Sequence, residues 1–110
     1  MSETPLQESA TAVANASGVA TARLQPSRAM EQWHVTGVAL TNSSTTNDPV
    51  VQLYRGAISP SNQIGGSYSG RQTGGSGDDW FQAGQALIAQ WTGCDVGSTS
   101  YINITGKAYR

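Results

Sequence analysis

His34 is the one imidazole and Cys94 the one thiol in 110 residues, so any nucleophilic triad or transition-metal site would have to be built around them. A triad needs a base within hydrogen-bond reach of a hydroxyl or thiol, and zinc sites draw most of their ligands from Cys and His. His34 lies between Trp33 and Val35 in a strand-like run, where the ordinary reading is a histidine facing solvent or a sheet neighbour. Cys94 follows Trp91-Thr92-Gly93 in a turn-like segment, with no basic residue beside it in sequence to lower its pKa. A small loop residue is the better reading there than a reactive thiol, and a lone cysteine forms no internal disulfide.

Asp78 and Asp79 are adjacent carboxylates that could hold Ca²⁺ together with loop carbonyls, but they lack the alternating acidic spacing of a calcium loop. Their other reading is a helix N-terminus, where Asp accepts backbone N–H bonds. Gly65-Gly66, Gly70 and Gly74-Gly75-Ser76-Gly77 fail as a phosphate loop, because no Gly-Lys-Ser/Thr ending and no helical pattern follow. Asn15-Ala16-Ser17, Asn42-Ser43-Ser44 and Asn103-Ile104-Thr105 match the glycosylation triplet, which without a secretory signal reads as chance. No metal and no cofactor are expected.

The aromatic residues offer more. Trp33, Trp80 and Trp91, with Tyr54, Tyr68, Tyr101 and Tyr109, could stack against sugars; the competing reading is that Trp33 and Trp91 fill a core that has only one Phe. Trp80 stands apart because it follows Asp78-Asp79 among polar residues, the setting of an interface anchor. Trp80, Phe81, Tyr68, Asp78 and Asp79 are therefore the candidate partner-binding residues.

The elements that must position these groups are strands. Gly numbers 13, and no window repeats apolar residues at helical spacing for more than about a turn. Short runs rich in Val, Ile, Thr, Tyr and Trp recur between Gly, Pro, Asn and Ser clusters. That pattern predicts an all-β protein, a small antiparallel β-sandwich (Ig-like or jelly-roll-like) of about six to eight short strands. Residues 10–16 and 18–24 read as a hairpin turned at Ser17-Gly18, with a corner at Gln25-Pro26-Ser27-Arg28. In residues 31–41, Trp33 and Val35 share one face while Val38 and Leu40 take the other. A bulge near Gly37 would shift the register by one and return all four to a single face. In residues 50–58, Val51 and Leu53 share a face and Tyr54 takes the other, and Ser59-Pro60-Ser61-Asn62 is a turn.

Residues 65–77 read as a short strand followed by a mobile loop, and residues 78–81 as a brief helical turn or an edge strand. Leu87, Ala89 and Trp91 alternate toward one face, as do Ile102 and Ile104. Residues 1–9 have no core pattern and read as a flexible N-terminal arm, leaving 10–110 as a single sandwich domain.

Composition excludes other classes. With six Lys plus Arg and a net charge of −1, there is no basic footprint for nucleic acid. No apolar run approaches the roughly 20 residues that cross a bilayer, so no membrane insertion is expected. The opening MSETPLQESA has neither the basic start nor the apolar stretch of a secretory signal, which predicts a soluble product made in the cytoplasm.

Leu53-Tyr54-Arg55-Gly56, Ser59-Pro60-Ser61-Asn62 and Gly66-Ser67-Tyr68-Ser69-Gly70 are followed by Ala83-Gly84-Gln85-Ala86-Leu87, Trp91-Thr92-Gly93 and Ile102-Asn103-Ile104-Thr105-Gly106, with Trp33-His34-Val35-Thr36 upstream. In these segments, over most of residues 18–106, the chain resembles a family of small structural proteins encoded by tailed bacteriophages of actinobacteria. The resemblance implies a β-sandwich on the virion, made in the host cytoplasm, that decorates the capsid or attaches to the tail. It carries no catalytic residues, and its implied partners are capsid or tail proteins, with the chain a homo-oligomer or lattice-bound. The family pattern runs from the Gly70 region directly into an acidic strand, whereas Gly74–Gly77 intervenes here.

Low charge, few lysines and abundant Ser and Thr suit a multi-copy surface assembly whose sheet edges are covered by neighbours. The leading expectation is thus a non-enzymatic accessory protein of the particle. The alternative is a module that binds host-surface glycan through Trp80, Tyr68 and the loop over residues 65–77. An enzyme ranks last, because hydrolysis without a base near a nucleophile has little to lower its barrier.

Overall fold

A computed structural model describes residues 3–110. Its eight strands are β1 (Glu3–Val13), β2 (Ala20–Leu24), β3 (Gln32–Asn42), β4 (Val50–Arg55), β5 (Gln63–Ser69), β6 (Gln72–Phe81), β7 (Leu87–Thr92) and β8 (Thr99–Tyr109), with a single 3₁₀ turn at Pro60–Asn62. They form two four-stranded antiparallel sheets, ordered β1-β8-β3-β6 and β2-β7-β4-β5. The β1–β8, β2–β7, β3–β6 and β4–β5 pairings make one long antiparallel ribbon folded at the β4–β5 hairpin. Pairing of β3 with β8 and of β4 with β7 then rolls the ribbon up. This is the jelly roll, in which two Greek keys share one core.

Inward residues fill the space between the sheets: Trp33, Val35, Leu40, Ile102 and Ile104 from one, and Val51, Leu53, Leu87, Ala89 and Trp91 from the other. Trp91, Leu40, Val51 and Ile104 are wholly buried. The indole N–H groups of Trp33 and Trp91 have no acceptor among the described residues, so packing holds these rings. Tyr54, Ala86 and Ile88 form a second small buried cluster.

The expected bulge is present. Pairing of β3 with β8 steps from Val35↔Gly106 to Gly37↔Thr105, leaving Thr36 over. On the other side, pairing with β6 jumps from Val35↔Asp79 to Gly37↔Ser76, so that β6 carries an extra residue of its own. Trp33 and Val35 before the irregularity and Leu40 after it are all buried, and Val38 packs against the same cluster. Glycine is required where the chains close up: a Cβ on Gly106 would collide with the His34 carbonyl oxygen, and one on Gly37 would lie 2.6 Å from Thr105 Oγ1.

Three expectations are corrected. Residues 10–16 and 18–24 do not form a hairpin, because β1 pairs with β8 and β2 with β7, in different sheets. Where a free arm over residues 1–9 is expected, the chain from Glu3 onward is the first half of β1, held by an eleven-residue ladder to β8 that begins at Glu3↔Tyr109; Met1 and Ser2 lie outside the described residues. Nor is residues 65–77 a strand followed by a loop. It covers most of β5 and most of β6, separated by Gly70-Arg71. The β3 and β4 ladders supply what its side chains lack, and Gly74 is needed because a Cβ there would strike the Val38 carbonyl.

Gly106→Ala is expected to cost about 3 kcal/mol or more, because backbone on β3 must move. Gly84→Ala, at φ +80 with nothing within 4 Å, should cost only about 1 kcal/mol. Urea unfolding of the two variants checks the contrast, which corresponds to a difference of roughly 8–16 °C in Tm for a domain of this size.

Candidate functional site

The outer face of the β1-β8-β3-β6 sheet carries one aromatic cluster. His34 on β3 lies directly opposite Trp80 on β6 and, on its other side, Lys107 on β8. The imidazole stacks on the indole with centroids 4.2 Å apart and planes 5° from parallel. Tyr109 stacks on the same indole at 5.5 Å and 26°. Asp78 and Trp80, two residues apart on β6, share the outer face, and His34 Nε2–H donates to Asp78 Oδ1 at 2.5 Å. The carboxylate thereby fixes the imidazole that supports the indole, while the Asp78 side chain stays 82% exposed. Trp80 keeps 43% of its surface free. Beside the cluster, Lys107 Nζ pairs with Glu3 at 2.8 Å, and this raises the Lys107 pKa above its ordinary value through the hydrogen bond and charge of Glu3.

The other sequence candidates go elsewhere. Phe81 is completely buried and cannot meet a partner: with Trp80 facing out, strand alternation turns it into the core, where the Arg55 guanidinium lies 5.2 Å from its ring centroid. Asp79 also points inward, reaching Arg55 across the two sheets at 3.6 Å. The reading of Asp78 and Asp79 as a helix N-terminus is likewise replaced, since both lie on β6. Tyr68, half-buried, joins Asp79, Ser76, Ile64 and Leu53 around a small cleft between β5 and β6. Trp33 and Trp91 are core residues.

Two further carboxylates serve the architecture. Glu31, almost fully buried, accepts from Arg110 Nε at 2.5 Å and from the Ser27 N–H at 3.2 Å. Burial works to raise its pKa, but Arg110 and the backbone at Arg28 and Ser27 outweigh this and hold it below the ordinary value. Asp95 accepts three successive backbone N–H bonds, from Thr45, Thr46 and Asn47, at 2.8, 3.1 and 2.9 Å. These donors keep its carboxyl below the usual range. Beneath it, Asn42 donates to Ser98 and Ser100, and Ser44 Oγ accepts the Asp95 N–H. Cys94 is buried in the same loop cluster, where desolvation pushes its thiol pKa up, the opposite of what an activated nucleophile needs.

Among the described residues, no group of three or more His, Cys, Asp or Glu side chains is placed to hold a metal ion. No helix there is long and apolar enough to cross a membrane. His34 hydrogen-bonds to Asp78, and no hydroxyl or thiol among the described residues is bonded to it. The sequence reading had Trp80, Asp78, His34 and Tyr109 separately; what it missed was their contact. The signal available was the period of two that puts residues 78 and 80 on one face, but which strand they face is set by pairing across 46 positions in sequence.

No protein-family model and no curated protein matches the sequence. Among solved structures, the chain is similar to the crystal structure of Yersinia pseudotuberculosis-derived mitogen (YPM), with a TM-score of 0.54 and 13% identity over 94% of this chain and 86% of that one. At that identity the likeness is one of fold.

The Asp95 pKa is lower in the folded chain than in the unfolded one. Its contribution to stability is therefore complete above the unfolded value of about 3.9 and is lost as pH falls through the folded one. Asp95→Asn should lower stability at neutral pH and flatten the acid limb below about pH 4, as read by urea unfolding across a pH series.

Proposed function

We propose that this chain is a non-catalytic accessory protein on the surface of a tailed-phage particle, held to the capsid or tail by protein–protein contacts. The segments that resemble the phage structural proteins are those that build the corners and ladders of the jelly roll. Gly56, Gly84 and Gly93 have φ of +84, +80 and +74. Asn62 Nδ2 donates to the Arg55 carbonyl at 2.7 Å across the β4–β5 turn, and Gly106 sits in the β3–β8 bulge. The resemblance thus follows the architecture, with no reactive site in it. The jelly roll is an architecture of viral capsid and lectin domains, and that link is an analogy at the level of fold.

The observation that carries the proposal is the edge at β6. This ten-residue strand has one neighbour, β3, and its Gly74, Gly75 and Gly77 leave the backbone without side-chain cover. Edges of that kind are normally blunted or covered, and a fixed neighbour in a lattice would cover this one. Asp78 and Asp79 on the same strand guard it against indiscriminate pairing.

Purified particles of the phage that encodes the chain should contain it at a fixed copy number by quantitative mass spectrometry. Recombinant protein should also rebind, saturably, to particles lacking it. Its absence from particles, or incorporation that varies with expression level, would overturn the proposal.

A further inference from the structure

We infer that β6 pairs antiparallel with β6 of a second copy of this chain, about a two-fold axis at Ser76, joining the two β1-β8-β3-β6 sheets into one. This rests on the reading of β6 as a covered edge and names what covers it. β6 is the outer strand of its sheet and carries neither the Lys nor the Pro that commonly keeps an edge free. Its odd positions face inward on both sides of the irregularity, since Thr73 lies opposite Leu40 and Asp79 opposite Val35, both core residues. Gln72, Gly74, Ser76, Asp78 and Trp80 therefore share the outer face. Two copies of the strand keep their inner faces on one side only if even positions meet even ones, so the axis must fall on a residue. An axis at Asp78 or at Asp79 would set a carboxylate against itself, which is destabilising. With the axis at Ser76, Asp78 meets Gly74 of the second copy, Trp80 meets Gln72, and Asp79 meets Thr73. The bare Gly75 and Gly77 then lie opposite each other beside the axis.

Charge favours another copy as the occupant. Arg71 stands just before β6, and Asp78 and Asp79 lie near its end. Antiparallel pairing thus brings each arginine toward the carboxylates of the other copy, whereas parallel pairing would set like against like. With the axis at Ser76, Arg71 is diagonal to Asp79 of the second copy, a separation of about 7–8 Å that a long side chain spans. An axis at Gly77 would carry Arg71 past both carboxylates. Arg71 uses its Nε on the Asn47 carbonyl and Asp48, and its terminal amino groups have no bond among the described residues.

The same contact covers apolar surface. β5 is an edge of the other sheet, and the cleft between β5 and β6 is walled by Val38, Leu53, Ile64, Phe81 and Leu87. Tyr68 reaches across it from β5, with a ring carbon 3.4 Å from where a Cβ on Gly75 would sit. A two-fold axis perpendicular to the joined sheet leaves both β2-β7-β4-β5 sheets on the same side of it. The two clefts are then turned mouth to mouth, so one isologous interface satisfies the open ladder and screens the apolar walls.

The test is sedimentation velocity of the full recombinant chain, without particles, over a concentration series. A reversible dimer is expected, with a Kd on the order of 100 μM, because edge pairing buries less than a standard interface of about 1,600 Å². Ser76 is exposed, so substitution there leaves the core alone, and the urea midpoints of the variants should stay near that of the parent chain. Ser76→Asp and Ser76→Lys each meet their own charge across the axis and should raise the Kd about tenfold or more. An equimolar mixture of the two should recover association. A monomer up to about 1 mM, a dimer indifferent to Ser76→Asp, or a mixture that stays monomeric would overturn the inference. So would a chain monomeric in solution whose β6 amides gain hydrogen-exchange protection only on particles, which would assign the edge to a capsid or tail protein. Particle content is a separate readout: a chain that dimerises through Ser76 but is absent from particles loses the proposed role and keeps this pairing.

Discussion

Trp33 and Leu40 can share the core only if one residue of β3 goes unmatched. They are seven apart, an odd number, and in an unbroken strand they would point to opposite faces. The surplus Thr36, opposite glycine on β8, restores the phase, and the pairing of β6 shifts on the other side of the same point. Without it, half of β3 would present Val38 and Leu40 to water, and one of the two central strands of the sheet would have no consistent inner surface. The aromatic cluster depends on the same correction, since the bulge settles which β6 residues lie against His34.

Much of this was legible because it is local. The bulge at Gly37 follows from the change of apolar face within one run, and the inward Val51 and Leu53 from simple alternation. The paired faces of Leu87, Ala89 and Trp91 and of Ile102 and Ile104 follow in the same way. What was not legible depends on partners far away in sequence. The stretch Glu3–Ser9 has one strongly buried apolar side chain, Leu6, and becomes a strand because β8 offers it a complete ladder. Residues 72–77 have almost nothing to bury, and are extended because β3 holds them. Phe81 was misjudged through its neighbour: a polar run with one exposed Trp does not say which of two adjacent aromatic residues turns inward.

The candidate site divides the same way. Its members are ordinary strand residues with no spacing motif, and they become a site only through cross-strand register. Asp78 and Asp79, the carboxylates that look most like chemistry in the sequence, prove to be structural devices, as does Asp95: Asp78 braces an imidazole, Asp79 ties the sheets together through Arg55, and Asp95 gathers a loop. Each of these three carboxylates has a defined mate.

Because β1 and β8 are adjacent and antiparallel, Glu3 lies across from Tyr109, and Tyr109 is itself part of the aromatic cluster. Entry to and exit from the fold therefore share one doorway. A polypeptide spliced on at both ends needs almost no linker to span the gap, so the jelly roll can be set into a surface loop of a larger host protein without prying that loop apart. The same geometry makes the doorway a poor place for a bulky purification tag, which would hang over the indole.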